Sequence, residues 1–292
     1  MFNKNKLEYI LFTIVIKFVT LGKIDKARNA AKVLAWLLYY IFPIRKKVLL
    51  KNFNIAFPEK NAKEINELIY ANYFSSALTL CEIAHLKKTT KDEIKSLVSC
   101  KNEFIINDIL DEGKAVLLLT AHFGNWELGA VYFGTKLNKT VHELVKPQRN
   151  PYVTKWLSEM RSVTGNIEIP LGISIREIMK AIKGGFPIGV VGDQRAPKKS
   201  GIIVKFFGKD TFTFAGTAAI ALKTNTPIVA VIVARNDDFK YEGFLEKIDI
   251  ENLSGTDEEK IKQINQKYMD ILEKQIRLHP EQWFWMHNIW KH

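Results

Sequence analysis

The most informative part of this sequence is Ala115-Val-Leu-Leu-Leu119, which is followed closely by His122-Phe-Gly-Asn-Trp-Glu127. Five consecutive apolar residues have the length and composition of a buried strand. Gly124 suits an unusual backbone conformation, and Asn125 suits the first position of a helix. The stretch therefore predicts a strand, a tight loop and then a helix.

The loop in this stretch carries a candidate acid–base pair. Residues five apart on one regular helix point about 140° away from each other, so His122 and Glu127 would not meet there. With His122 in the loop and Glu127 in the first helical turn, the carboxylate can reach the imidazole. A carboxylate on one ring nitrogen fixes the tautomer and raises the basicity of the other nitrogen. His122 is therefore a candidate general base.

The alternative is that this histidine is structural, which is the commoner role for an isolated histidine near a carboxylate. Against it, the chain has no competing catalytic motif: no Gly-x-Ser-x-Gly, no Walker loop, no Gly-x-Gly-x-x-Gly and no His-Glu-x-x-His.

Strands and helices alternate along the rest of the chain, which predicts an α/β fold with a largely parallel sheet. Ligand sites in such sheets lie outside the carboxyl ends of the strands. His122, the Lys146 loop and Asp193 each follow a predicted strand, so we expect them to converge. The predicted strands are Ala115–Leu119, Val141–Val145, Pro187–Val191 and Pro227–Ala234, and the predicted helices are Glu59–Ser99, Asn102–Leu110, one containing Trp156 and Leu157, Ile173–Ile182, Ala218–Leu222 and Asp257–Leu278.

Composition restricts the class of protein. The 292 residues are 47% hydrophobic and 25% charged, which is typical of a globular protein rather than a polytopic membrane protein. Forty-three basic and 31 acidic residues give a net charge of +12. This excess favours an anionic partner, either nucleic acid, an anionic membrane or an acidic protein, although a genome that prefers lysine would also produce it. The scattered histidines and two cysteines show no metal-ligand spacing, so we expect no metal and a reducing compartment.

The N-terminal region contains two apolar stretches, Leu7–Leu21 and Ala30–Ile44, bordered by basic residues. The first is shorter than the roughly 20 residues of a bilayer span and contains Glu8 and Lys17. It also lacks the cleavage site of a signal peptide. We expect residues 1–44 to anchor the protein to a membrane, either in the interface or as a tilted span. Two buried core helices are the alternative.

Several motifs, taken in order, resemble those of the bacterial lipid A biosynthesis acyltransferases, and the resemblance covers nearly the whole chain. The matching segments are Arg45 with Asn52–Pro58, His122–Glu127, Lys146-Pro147 with Asn150-Pro151, Arg161, Gly192–Gln194, Gly201–Gly208, Gly216-Thr217 and Gln282–His287.

This resemblance implies an α/β domain like that of the glycerol-3-phosphate acyltransferases, here residues 45–292, behind an N-terminal membrane helix. It implies a position on the cytoplasmic face of the bacterial inner membrane. The implied donor is acyl carrier protein or coenzyme A as a co-substrate, with no cofactor. The implied acceptor is a hydroxyl of a phosphorylated, lipid-linked sugar.

The resemblance also assigns roles to residues. His122 and Glu127 match the family's catalytic pair, and Arg161 and Asp193 match the arginine and aspartate that accompany it. Lys146 stands where a close relative has arginine; a lysine cannot form the same two-pronged contact.

In the implied mechanism His122 takes the proton of the attacking hydroxyl and Glu127 stabilises the imidazolium. Arg161, or the backbone N–H groups around Gly124 and Asn125, would stabilise the tetrahedral oxyanion. Asp193 would orient Arg161 or hold a sugar hydroxyl. Arg161, Asp193, Lys146 and Asn125 are thus the candidate substrate contacts.

Three other functions remain open at this level. The same pair would serve an acyltransferase for another membrane lipid, such as a glycerophosphate, a phosphoinositol mannoside or an aminolipid. A non-enzymatic, membrane-bound module for lipid or nucleic acid would leave the ordered motifs unexplained, and the dispersed basic residues disfavour nucleic acid. Hydrolysis is expected only as a side reaction.

Overall fold

The computed structural model of the chain describes residues 4–22, 24–172 and 174–291. Predictions that fall on residues 1–3, Lys23, Ile173 or His292 lie outside the described residues. The described helices are α1 (Lys4–Val19), α2 (Ile24–Trp36), α3 (Lys46–Ala56), α4 (Ala62–Leu86), α5 (Lys91–Leu97), α6 (Phe104–Asp111), α7 (Trp126–Lys136), α8 (Pro151–Arg161), α9 (Ser174–Lys183), α10 (Gly216–Thr224) and α11 (Asp257–Leu278), with a π-helical turn at Leu37–Ile41 and a 3-10 turn at Ser162–Thr164. The described strands are β1 (Val98–Cys100), β2 (Val116–Thr120), β3 (His142–Val145), β4 (Ile167–Pro170), β5 (Pro187–Val191), β6 (Gly201–Phe206), β7 (Lys209–Phe214), β8 (Ile228–Arg235) and β9 (Tyr241–Ile248).

The central sheet has seven strands in the order β1-β9-β8-β2-β5-β3-β4. The five strands from β8 to β4 run parallel to one another. β9 is antiparallel to β8, and β1 pairs in parallel with β9. The prediction of an α/β fold with a mostly parallel sheet is therefore confirmed.

The strand β2 shows why the sheet is central. Successive side chains of a strand point to opposite faces. Leu117 and Leu119 accordingly pack in one hydrophobic cluster, while Val116 and Leu118 pack in a second cluster on the other face. Helices cover both faces, which is the situation that a continuous apolar strand requires.

Some elements differ from the sequence-based expectation. The single helix predicted over Glu59–Ser99 is two helices followed by β1, because Asn61 and Thr90 each form a capping box that begins a new helix. Strands β4 and β9 and the β6–β7 hairpin were not predicted. Phe207 and Gly208 both have positive φ at the tip of that hairpin, as its short turn requires.

The N-terminal helices lie against the rest of the protein on one side. Tyr9, Phe12 and Ile16 of α1 pack on the second hydrophobic cluster, where Phe12 contacts Trp156 of α8. Ala27, Ala31 and Ala35 of α2 are fully buried, and α2 packs along α4. Within the described ranges, no helix has both the length and the apolar character to cross a bilayer. The boundary at residue 45 stays a prediction.

Candidate active site

The loop between β2 and α7 is held in an unusual conformation. Gly124 has φ +54°, and a Cβ at this position would lie 2.2 Å from the carbonyl oxygen of Val233. The Gly124 carbonyl accepts a hydrogen bond from Thr79 Oγ1 at 2.7 Å, and its N–H donates to the Gln282 carbonyl at 3.1 Å. Asn125 Oδ1 then caps α7 by accepting from the Leu128 N–H at 3.0 Å. These contacts fix the backbone that carries His122.

His122 is bound by Asp193, which follows β5, the strand next to β2 in the sheet. The Nδ1 atom of His122 lies 2.8 Å from Asp193 Oδ1, and the His122 backbone N–H donates to Asp193 Oδ2 at 2.9 Å. Trp283 Nε1 donates to the same Oδ2 at 2.8 Å. Three donors therefore hold one buried carboxylate against the ring.

The charges of this pair support each other. Burial alone would lower the pKa of His122, but the charge and hydrogen bond of Asp193, with a smaller contribution from Glu127, raise it above its ordinary value. Burial would raise the pKa of Asp193, but the charge of His122 and hydrogen bonds from His122 and Trp283 lower it. Because Asp193 occupies Nδ1, Nε2 is the ring nitrogen left for another partner.

Glu127 has a different partner from the one expected. It lies in the first turn of α7, as predicted, but its two carboxylate oxygens accept from Arg161 Nη2 at 2.6 Å and Nε at 2.8 Å. The expectation that this carboxylate reaches the imidazole is corrected: the hydrogen bond to His122 Nδ1 comes from Asp193. Glu127 acts on His122 only through its charge. The reason is that a guanidinium offers a two-pronged match to a carboxylate and an imidazole does not.

Arg161 is the centre of a cluster of carboxylates. Besides Glu127, its Nη1 donates to Glu168 at 2.8 Å and its Nε lies 3.7 Å from Glu143. Burial and the charge of Glu127 raise the pKa of Glu143 to about 7, although Arg161 opposes this rise. Three of the five N–H groups of Arg161 bind protein carboxylates, and its role in binding substrate stays a prediction. Asp193 does not orient Arg161 in this geometry, since its oxygens accept from His122 and Trp283.

Two other predicted contacts are placed as follows. Asn125 is completely buried, and its amide group binds the Leu128 N–H and Glu82. Its side chain is therefore a helix cap rather than a substrate contact. Lys146 is exposed after β3, and its role in binding substrate stays a prediction.

The C-terminal segment contributes more than the sequence indicated. Phe123 and Trp283 form a β-bridge, and the Phe284 N–H donates to the His122 carbonyl at 2.9 Å. The rings of Trp126 and Phe284 lie 5.0 and 6.2 Å from the imidazole. The tryptophan-rich composition of this segment predicts a groove, an interface or core, but no local pattern shows that Trp283 binds Asp193.

The His122 side chain is 22% exposed between these aromatic rings, whereas Asp193 is buried behind it. An imidazole that is hydrogen-bonded to a carboxylate through Nδ1 and partly exposed can take a proton from a bound molecule. A cleft of about 530 Å³ lies at the other end of the parallel strands, before the starts of β2 and β8 and beside Lys114 and Lys247, and contains neither residue of this pair.

Comparisons with known proteins show the family of this chain. Residues 4–292 match the family model described as bacterial lipid A biosynthesis acyltransferase. The chain is 23% identical over 249 residues to a lipid A biosynthesis lauroyltransferase of Escherichia coli K12, a match that covers 85% of this chain and 79% of that protein. A lipid A biosynthesis palmitoleoyltransferase of the same organism and a lipid A biosynthesis acyltransferase of Shigella flexneri are each 22% identical over 248 residues, with the same coverage. The chain is therefore an acyltransferase and belongs to the bacterial lipid A biosynthesis acyltransferase family.

Proposed function

We propose that this protein transfers a fatty acyl chain from a thioester donor to a hydroxyl group of a lipid A precursor or a related glycolipid, with His122 as the general base. The donor is acyl carrier protein or coenzyme A. The observation that carries the proposal is the 2.8 Å contact between His122 Nδ1 and Asp193, which leaves Nε2 free on the exposed side of the ring.

The proposed reaction has two steps. An acceptor hydroxyl attacks the thioester carbon while His122 Nε2 takes the hydroxyl proton, because an alcohol is a poor nucleophile until it loses that proton. The tetrahedral intermediate then collapses, the C–S bond breaks, and the imidazolium returns the proton to the leaving thiolate. Asp193 keeps the ring in the Nδ1–H tautomer and stabilises the imidazolium.

We propose a separate role for Glu127 and Arg161. Their two-pronged ion pair joins the first turn of α7 to the end of α8. In this proposal the two remaining N–H groups of Arg161 contact the oxyanion or a polar group of the substrate. Glu127 keeps this arginine in place and adds negative charge near the imidazolium.

The surface of the N-terminal helix supports a membrane location. Leu7, Ile10, Leu11, Ile14, Val15 and Phe18 of α1 are all exposed. They recur at helical spacing and form one apolar face, which is how a helix lies in a lipid interface. We propose that this face, which we call the α1 apolar face, holds the protein on the cytoplasmic side of the inner membrane, where both lipid substrate and carrier protein are accessible.

The decisive experiment is acyl transfer by purified His122→Ala protein with acyl carrier protein thioesters and a lipid A precursor. We expect turnover to fall on the order of 10²-fold or more, because the base is lost. His279→Ala is the matched control, since that histidine lies at the end of α11, and it should retain normal turnover. Near-normal turnover of the His122 variant, or transfer by the wild type to a glycerophosphate and not to the glycolipid, would refute the proposal.

A further inference from the structure

Three segments that contain no acidic residue contact one another near the site. Residues 42–58, 194–209 and 282–291 carry four, five and one basic residues, and no Asp or Glu. In the whole chain, by contrast, 43 basic residues face 31 acidic ones. Glu59, Asp193, Asp210 and Glu281 border these segments, and Lys205 pairs with Asp210 at 2.8 Å, so the charge of the segments alone does not define a site.

Direct contacts bring these three segments together. Arg45 Nη1 donates to the Met286 carbonyl at 3.0 Å, and the Arg195 backbone N–H donates to His287 Nε2 at 2.9 Å. The charges of both arginines help to lower the pKa of His287, although burial is the larger cause. Arg45 and Arg195 thus both lie close to residues 286–287, in a segment that also binds His122 and Asp193.

Arg45, Arg176 and Arg195 form no ion pair among the described residues, and of these three Arg45 and Arg195 contact the segment beside the site. Arg28, Arg149, Arg161, Arg235 and Arg277 each form an ion pair with a glutamate. Arg45 donates only to a carbonyl, and the Arg195 side chain has no hydrogen bond to another described residue. Arg45 also has φ +56°, a conformation that costs free energy for a residue with a side chain. Such strain is concentrated at functional sites.

We propose that Arg45 and Arg195 form a binding site for a phosphoryl group of a substrate beside His122. A planar guanidinium with no carboxylate partner offers two parallel N–H donors, which match phosphate oxygens. This inference rests on the proposed acyl transfer. The phosphoryl group belongs either to the glycolipid acceptor or to the phosphopantetheine or nucleotide part of the donor.

The test compares substrates that differ by one phosphoryl group. Arg45→Gln and Arg195→Gln should each raise KM about tenfold for the substrate whose phosphoryl group occupies the site, with kcat nearly unchanged, because a charge-assisted contact is lost. The acceptor arm uses the glycolipid with and without its phosphate, and the donor arm uses acyl-CoA against acyl-pantetheine. The increase in KM should disappear when the phosphoryl group is absent from only one of the two substrates, and that substrate is then the one whose phosphoryl group binds the site.

Two further variants sharpen the comparison. Lys247→Gln removes one positive charge near the end of β9, at the other end of the parallel strands, and should leave both KM values unchanged. Arg195→Lys keeps the charge and should recover part of the lost affinity, because lysine offers a point charge without the two-pronged geometry. Equal KM changes with and without the phosphoryl group would overturn the proposal.

A binding measurement separates this site from the reaction itself. Inorganic pyrophosphate, titrated into the full chain in a calorimeter, should bind the wild type and Lys247→Gln and bind both arginine variants at least tenfold more weakly. If pyrophosphate binds in this way but the wild type transfers no acyl group, the proposed function is rejected and the proposed phosphoryl-binding site is retained. Unchanged pyrophosphate binding would reject the site. Loss of binding to phosphatidylglycerol vesicles, with unaltered KM values, would assign these arginines to the membrane surface and also overturn it.

Discussion

Among single residues, the sequence identified His122 as a candidate base but did not identify its hydrogen-bond partner. His122 stood out because a carboxylate five residues later offered a local partner. The actual partner, Asp193, lies 71 residues away and meets His122 because β2 and β5 are adjacent parallel strands. The sequence predicted that side chains following these strands lie close together, and His122 and Asp193 do so. It did not predict that these two residues form a hydrogen bond, because a sequence pattern does not show which strands are neighbours.

The pairing predicts how rate depends on pH. His122 works as a base only when neutral, so kcat/KM should fall as pH decreases through its pKa, which Asp193 raises. Asp193→Asn removes the negative charge and should lower that pKa, so the acidic limb of the profile moves to lower pH. The maximal rate should also fall on the order of 10²-fold or more, because the tautomer is no longer fixed.

The measurement is kcat/KM from pH 5 to 9 for both proteins, with thermal unfolding as a check on the fold. Glu168→Gln is a suitable control, because Glu168 binds Arg161 and does not contact His122. An acidic limb at the same pH in wild type and Asp193→Asn would contradict the role given to Asp193.

At the scale of elements, predictions succeeded where the local signal was complete. Asp257–Leu278 was predicted with both ends, because an amphipathic period begins directly after Thr256, which forms a capping box. β2 was predicted within one residue from its apolar run. β9 was missed because Glu242, Glu246 and Lys247 interrupt its apolar residues, and it is a strand because it pairs along the whole of β8. Its stability comes from this neighbour rather than from its own sequence.

The connection between β2 and α7 predicts a specific cost for a single methyl group. Gly124→Ala would place a side chain on a backbone with φ +54°, and the new Cβ would clash with the Val233 carbonyl oxygen at 2.2 Å. Gly113→Ala has the same kind of backbone strain, at φ +77°, but no clash, because no atom lies within 4 Å of the new Cβ. We expect Gly113→Ala to lower the free energy of unfolding by about 1 kcal/mol.

Gly124→Ala should cost several times as much, of order 3 kcal/mol or more, because backbone must move. It should also reduce turnover, since the displaced loop carries His122, whereas Gly113→Ala should keep normal turnover. Urea denaturation and acyl-transfer rates measure the two effects. Equal losses of stability in both variants would show that the loop can shift away from Val233 without strain.

At the scale of the whole molecule, the N-terminal helices serve two surfaces at once. α2 buries Ala27, Ala31 and Ala35, so deleting residues 1–44 would expose core residues as well as remove the proposed anchor. α1 has an inner face on α8 and the exposed α1 apolar face. The core-helix alternative therefore holds for the buried faces of this segment, and the proposed membrane contact concerns only the exposed α1 apolar face. An experiment on membrane binding must change only the outer face.

Leu11→Asp and Phe18→Asp meet this requirement, because these side chains are 58% and 70% exposed and their replacement disturbs no core contact. Each removes a large apolar group that would insert into lipid, a contribution of about 1.5–3 kcal/mol, and adds a charge that lipid disfavours. We expect each to weaken flotation with phosphatidylglycerol vesicles by tenfold or more and leave thermal stability unchanged. Leu278→Asp is the matched control, since that leucine is 62% exposed at the end of α11, on an element far from α1 in sequence. Undiminished flotation of both α1 variants would refute membrane binding through the α1 apolar face. An equal loss in Leu278→Asp would show that the effect comes from exposed apolar residues in general.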